Sequence, residues 1–448
     1  MPEYSLIFTF LNELIIIKIF NIQNILIKVI QNETVPLSKQ IEPKRLLIFE
    51  LSCGGHYPEY IAHLIDYWRR EEADLQLDIL VSPQFIQQHD DVVELVERCN
   101  SKRITITAIS ETEYTALKPF NSALNRNIRA WQEFKLIRKY ALKLNSDRIF
   151  LPYFDNRQLP IVWGQRLPCS YSGIYFRPSF HYGSLGNYRL SWRDKLQHWR
   201  EKTTLSIVLK DSKLKTLYCL DPFAIEQIDR LTKQAKAVYL PDPVKTPQTP
   251  SNIERLASEL GVERSRQIHL LFGGIGKRKG LDKLLESITL LPKQLCQKLC
   301  LLVVGQMADN YYRDTLDAVK QITNTLPVQI VIKNQRVPQV EVQQYFDLAD
   351  VILAPYQRHV GMSGILVRAA VATKPALSSD YGLMGEVTRR YRLGLAVDST
   401  KAEELAAGLT EFLNETPAVW GDRQKMQLFA RQNDPNQFAK TVFQHLLT

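Results

Sequence analysis

Disulfide and metal chemistry are the first things this sequence lacks the means for. Its six cysteines, Cys53, Cys99, Cys169, Cys219, Cys296 and Cys300, are scattered, with no CxxC pair and no Cys/His cluster at zinc spacing. A disulfide framework and a structural metal site are therefore not expected, and a reducing compartment fits. Negative charge is also short. The 57 Lys+Arg against 47 Asp+Glu leave a formal charge of +10, which favours an anionic partner, whether lipid headgroup or phosphorylated small molecule. No nucleic-acid recognition motif accompanies that charge, so nucleic acid is not expected as a partner.

Long uncharged apolar runs are missing too. Residues 1–30 are the most apolar stretch, but Glu3, Glu13, Lys18 and Lys28 cut it into charge-free runs of nine residues at most. A spanning helix needs about 20 predominantly apolar residues, and no small-residue cleavage site follows. Three readings stay open for residues 1–43: an interfacial membrane helix, a helix packed on the body, or a translated leader outside the fold. What remains is an ordinary globular composition, 45% apolar, 10% aromatic and 23% charged over 448 residues. That excludes disordered, collagen-like and multi-span membrane classes and suggests about two to three domains.

After Pro43 short apolar runs alternate with longer helical ones. Arg45 to Leu51, Leu77 to Val81, Ile104 to Ile109, Arg148 to Leu151, Ser172 to Phe176 and Leu217 to Leu220 read as strands, with helices at Glu59 to Arg70, Asn127 to Leu144 and Asp221 to Leu231. The stretch Leu240 to Thr249 has three prolines in ten residues, so no helix or central strand passes through it. The alternation then restarts, with strands expected at His269 to Phe272, Leu299 to Val304, Val328 to Ile332, Val351 to Ala354 and Ala376 to Ser378. Strand, helix, strand in repetition implies parallel sheets with right-handed crossovers, and ligands at the strands' carboxyl ends.

Three glycine turns sit where a strand hands over to a helix: Ser52-Cys53-Gly54-Gly55-His56, Gly273-Gly274-Ile275-Gly276-Lys277-Arg278-Lys279-Gly280 and Gly361-Met362-Ser363-Gly364. Each exposes backbone N–H groups at a helix N-terminus, the arrangement that binds phosphate. A glycine there also serves as plain conformational punctuation.

Together these phrases resemble a known family. LLFGGIGKRKGLDKLLESI (Leu270 to Ile288), LLVVGQ (Leu301 to Gln306), FDLADVILAPYQ (Phe346 to Gln357) and GMSGILVRAAVATKPALSSDYGLMGEV (Gly361 to Val387) occur in the order and spacing of the nucleotide-sugar domain of group 1 GT-B glycosyltransferases, mostly retaining enzymes. The likeness covers Ile268 to Asp398 in sequence and Leu46 to Pro243 only in architecture and the GG turn. It implies an α/β GT-B fold, two Rossmann-like doubly wound domains facing a cleft. Residues 1–43 would be an apolar extension, 44–243 the acceptor domain, 244–266 a linker with its first helix, and 267–430 the nucleotide-sugar domain. Residues 431–448 would form a C-terminal helix crossing back to the first domain.

The resemblance assigns roles residue by residue. Lys279 would hold the donor diphosphate. At Gly274 the family usually carries an arginine, so Lys277 or Arg278 would have to supply that contact. The amides of Met362, Ser363 and Gly364, beginning at Gly361, would face the same diphosphate, and His359 would touch the sugar or its phosphate or pack on Tyr356. The family's paired glutamates fall at Val360 and Arg368 here. Arginine offers no acceptor to a ribose, so Arg368 should pair with an anion, Glu386 first and Asp380 second. On the first domain, Gly54 and Gly55 form the turn, and His56 is a contact to acceptor or phosphate or else a helix-cap side chain. The usual donor-contacting histidine after the fourth strand is replaced by Tyr153, Asp155 and Asn156; Asp155 alone of these can take a proton, as a catalytic base, or else it caps a helix N-terminus.

Between Arg189 and Lys215 stand eight Lys/Arg and three Asp/Glu. Trp192, Leu196 and Trp199 fall on one helical face there. Such a helix either lies on an anionic membrane surface or packs its tryptophans on the sheet.

The expected activity is transfer of a sugar from a nucleotide-sugar donor, as substrate, to a glycan, lipid or small-molecule acceptor, with retention, no cofactor and no metal. The expected location is cytoplasmic, peripheral at the inner face of the membrane. The alternatives are a non-catalytic GT-B scaffold in a glycan-assembly pathway, which the missing glutamates favour, and a nucleotide-sugar epimerase on the same fold.

Overall fold

Lys44–Phe49 forms β1 because its apolar residues are contiguous, as a strand covered on both faces requires. Leu46 and Ile48 enter one hydrophobic cluster and Leu47 and Phe49 another, the two-residue alternation of a strand. The computed structural model describes residues 44–446 except 72–74, 186–189, 233–235, 246–251 and 264; the apolar extension 1–43 lies outside the described residues.

The first sheet has seven parallel strands in the order β3-β2-β1-β4-β5-β6-β7, and the second six in the order β10-β9-β8-β11-β12-β13. The first comprises β1, β2 (Leu75–Val81), β3 (Ile104–Ala108), β4 (Arg148–Leu151), β5 (Ser170–Tyr175), β6 (Leu214–Cys219) and β7 (Lys236–Tyr239). The second comprises β8 (Gln267–Phe272), β9 (Leu299–Val304), β10 (Gln329–Lys333), β11 (Val351–Ala354), β12 (Ala376–Ser379) and β13 (Gly394–Val397). Strand order reverses between β1 and β4, where Leu46 pairs with Arg148, and between β8 and β11, where His269 pairs with Val351. Those two reversals fix where a crevice opens.

The edge strands β7 and β13 escape the sequence pattern. Each has only four residues with partly covered side chains, too short for alternation to register. The helix Pro435–Leu446 buries Phe438, Val442 and Phe443 among the residues of β1 and the helix Tyr57–Arg70. The Tyr218 hydroxyl donates to the Val442 carbonyl at 2.8 Å, which fastens the end of the chain to the first sheet. The expectation that Trp192, Leu196 and Trp199 pack on that sheet fails. The helix Trp192–Val208 turns His198, Leu205 and Val208 inward and leaves the tryptophans outside.

One charged cluster is buried within the first sheet's layers. Arg157 is fully enclosed, with Nη1 at 3.4 Å from Glu50 and Nη2 at 3.1 Å from Glu133. Burial raises the Glu50 carboxyl, and the Arg157 charge opposes that rise. Breaking such a cluster strands a carboxylate without its counter-ion. Arg157→Ala is therefore expected to lower stability by about 3–5 kcal/mol, measured as the shift in urea midpoint at unchanged slope.

Candidate active site

The carboxyl ends of β1, β4, β8 and β11 feed one cleft of about 1020 Å³. Gly54, Gly55 and His56 line it from the turn after β1, Gly274, Arg278 and Lys279 from the turn after β8, and His359, Gly361, Met362, Ser363, Gly364 and Arg368 from the segment after β11. All three glycine turns thus meet in one space. Gly280 makes this possible on the second sheet, since its φ of +78° is left-handed and a Cβ there would overlap the Pro355 carbonyl, a combination only glycine accepts.

Lys279 is the centre of the second-sheet side. Its Nζ donates to the Phe272 carbonyl at 2.9 Å and to the Tyr356 hydroxyl, and it lies 4.3 Å from the Tyr356 ring centroid. The Ser363 hydroxyl sits 3.0 Å from the same Tyr356 oxygen and caps the helix Gly364–Val371. Lys279 is only 6% exposed, enclosed at its turn and not solvated there. Its partners are all neutral. Arg177, Arg278 and Arg368 line the same cleft, and among the described residues none of these four cations has a carboxylate within 4.0 Å. Of the two basic residues after Gly274, Arg278 lines the cleft, whereas Lys277 faces a separate groove with Asp282 and Tyr311.

His359 bridges two of the turns. Its Nδ1 lies 3.3 Å from Arg278 Nη1 and its Nε2 3.4 Å from the Met362 carbonyl, which suits one neutral tautomer accepting from the guanidinium and donating to the carbonyl. The ring also packs edge-on against Tyr356. Across the cleft, Tyr182 reaches over from the first half of the chain. Its hydroxyl accepts from the Gly361 amide at 3.0 Å, and its ring fills the space beside Gly382.

The first-sheet side is held by Glu50. Its carboxylate accepts from the Ser52 amide at 3.0 Å, so the buried Arg157 cluster and the Ser52–His56 turn share one group. His56 precedes the helix Tyr57–Arg70 with no side-chain cap bond, so the cap reading fails for it. Its ring instead stacks near Tyr60. The Tyr60 hydroxyl donates to Asp242 at 2.6 Å, and the Asp242 amide donates to the Asn433 side chain.

Arg368 does not pair with Glu386 or Asp380. Glu386 is held by Arg390 at 3.1 Å and Arg389 at 3.7 Å on its own helix and lies outside the cleft. A helical side chain points toward its helix N-terminus, which carries Arg368 toward the first sheet. There Glu59 and Asp242 supply the field that opposes the lowering of its pKa by burial. Burial in turn raises the Glu59 carboxyl, against His56 and Arg368. Asp155 also falls outside the main cleft. Its two oxygens accept from the Phe176 amide at 2.9 Å and the Arg177 amide at 3.1 Å, and burial lifts its pKa to about 7. These two bonds fix the backbone of Arg177, whose side chain lines the cleft.

Glu59, Asp242, Arg177 and Tyr356 are site residues that the sequence did not single out. Asp242 sits in the proline-rich stretch, and nothing local shows that 182 residues of chain return it to Tyr60. Among the described residues no cluster of three His, Cys, Asp or Glu side chains is placed to hold a metal ion.

Residues 252–433 match the family model described as glycosyl transferases group 1. This part of the chain is a group 1 glycosyltransferase domain. Solved structures extend the likeness of fold to 90% of the chain. A Rickettsia africae glycosyltransferase aligns at 15% identity over 97% of its own length, with a TM-score of 0.60. Anabaena Alr3699/HepE in complex with UDP aligns at 14% over 99%, TM-score 0.62, and WaaG, a glycosyltransferase of lipopolysaccharide biosynthesis, at 14% over 99%, TM-score 0.60. No curated protein is similar enough in sequence to be aligned with the chain. Two Rossmann-like sheets with the turns of β1, β8 and β11 at one cleft give the chain a GT-B fold.

At the cleft, burial and the adjacent Arg278 lower the His359 pKa to about 4. An unfolded histidine titrates near 6.5, so between roughly pH 6.5 and 4 the unfolded chain takes up a proton that the folded chain refuses. Stability is then complete above about 6.5 and declines as the pH falls toward 4. His359→Asn should flatten part of that decline, read from urea unfolding across the same pH range. An unchanged slope would show that the ring is free to protonate in place.

Proposed function

We propose that the protein transfers a sugar from a nucleotide-sugar donor to a glycan, lipid or small-molecule acceptor, with retention, donor on the second sheet and acceptor on the first. The observation that carries this is the set of cations without counter-ions at the cleft. A buried ammonium with only neutral partners is costly, and a diphosphate placed against Lys279, Arg278 and the Met362–Gly364 amides relieves that cost. During transfer the bond from the anomeric carbon to the diphosphate oxygen breaks as the acceptor oxygen bonds the same face of that carbon, and the acceptor hydroxyl's proton passes to the departing diphosphate oxygen. Negative charge grows on the departing diphosphate, where fixed donors stabilise it without reorganisation. Holding donor and acceptor across one cleft supplies the positioning.

Arg368 takes the place of a ribose-accepting carboxylate, so the donor's ribose is held differently from the family pattern, with Glu59 and Asp242 as the carboxylates within the cleft. The proposed location is cytoplasmic, peripheral at the inner face of a membrane; among the described residues no helix is long and apolar enough to cross one.

Calorimetric titration with UDP, GDP, ADP and dTDP tests the reading. One of the four should bind, and Lys279→Met, which keeps the buried volume, should weaken it by about 1.5–3 kcal/mol, at least tenfold in Kd. Saturable binding followed by hydrolysis or transfer of the matching nucleotide sugar supports an enzyme. Binding of none of the four defeats the donor assignment and favours the non-catalytic scaffold that the substitutions at Val360 and Arg368 suggest.

A further inference from the structure

The helix Trp192–Val208 carries an apolar stripe that nothing among the described residues covers. At about 100° per residue, Trp192, Leu196, Trp199, Thr203 and Ile207 fall within about 80° of one another. Trp192 is 70% exposed, Trp199 65%, Leu196 50% and Ile207 41%. The opposite face holds His198, Leu205 and Val208, all buried. Exposure on one side and core on the other means that the stripe is not a misplaced core face. Trp163, 71% exposed, adds a third outward indole at the end of the short helix Gln158–Val162, which packs against this one.

Charge is arranged around the stripe. By the same helical geometry Arg193 and Arg200 flank it on one side and Lys195 and Lys202 on the other, and all four are exposed. The two acids of the helix are engaged elsewhere. Asp194 caps the helix through Ser191 and pairs with Arg358 at 3.4 Å, while Glu201 accepts from the Tyr175 hydroxyl and the Ser179 amide. Among the described residues of the helix the outward charge is therefore basic, and Glu201 and Asp155 line the groove beside it.

We infer that this face seats on a bilayer rich in anionic phospholipid, its indoles and aliphatic side chains at the headgroup boundary and its four cations against lipid phosphates. A groove of about 760 Å³ lined by Trp192, Arg193, Leu196 and Arg200 reaches Arg177 and Val360, and these two also line the cleft. Seating the helix on lipid brings the mouth of that groove to the interface. On the proposed transferase reading, an acceptor anchored in the bilayer then reaches the cleft without leaving it; the seat itself does not depend on that reading.

Co-sedimentation of the full chain with phosphatidylcholine vesicles, with and without phosphatidylglycerol, tests this. The wild type should bind the anionic vesicles with a blue shift of tryptophan emission, and raised salt should weaken the binding. The variant Trp192→Ala/Trp199→Ala should bind about tenfold or more weakly, and Arg193→Glu/Arg200→Glu should lose a comparable factor. Both pairs are exposed, so thermal unfolding should match the wild type and nucleotide titration should be unaltered. That leaves loss of lipid binding separable from failure of the donor site. Equal binding of wild type and Trp variant would place any membrane contact elsewhere in the chain and overturn the inference. So would equal binding to neutral vesicles, or a dimer in solution that the Trp variant dissolves.

Discussion

A lysine ammonium enclosed by neutral partners is the constraint around which this cleft is organised. Lys279 reaches its position only because Gly280 takes a left-handed conformation against the Pro355 carbonyl. Once there, it fixes the Tyr356 hydroxyl, which meets Ser363, the cap of the helix that presents the glycine turn. Removing the charge would loosen a lysine, a tyrosine and a helix cap together. On the opposite wall Glu50 has the equivalent role, binding the Ser52 amide while neutralising Arg157. Two charged groups, one per sheet, thus hold the turns that face each other.

The distribution of charge explains why the cleft departs from its family pattern without collapsing. Arg368 brings a cation to the cleft from the last turn of the helix Gly364–Val371. The acids that answer it come from the other sheet, Glu59 on the helix after β1 and Asp242 beyond β7. A carboxylate lost from one wall is matched by carboxylates on the other.

How much of this could be read from the sequence follows from range. The glycine turns, the strands beside them and the motif order were legible because each is local: a buried strand is a contiguous apolar run, and a left-handed turn needs glycine. The acids that face Arg368 were not legible, since Glu386 is near in sequence and Glu59 is 309 positions away. The burial of Lys279 was hidden for the same reason, because Tyr356 closes over it from 77 residues downstream. Asp155 looked like a base because a carboxylate after β4 reads alike whether its oxygens are free or tied to the backbone. The tryptophan stripe was visible as a stripe, but which side of the helix met the sheet depended on His198, Leu205 and Val208, weaker signals than two indoles.

Tyr182 belongs by sequence to the first half of the chain, yet its ring is buried in the second sheet's hydrophobic cluster and its hydroxyl occupies the Gly361 amide. It works as a latch across the cleft. Any hinge motion that parts the two sheets must withdraw this ring from beside Gly382 and release the Gly361 amide in the same movement. One side chain therefore ties the position of the first sheet's segment to the amide that opens the glycine turn.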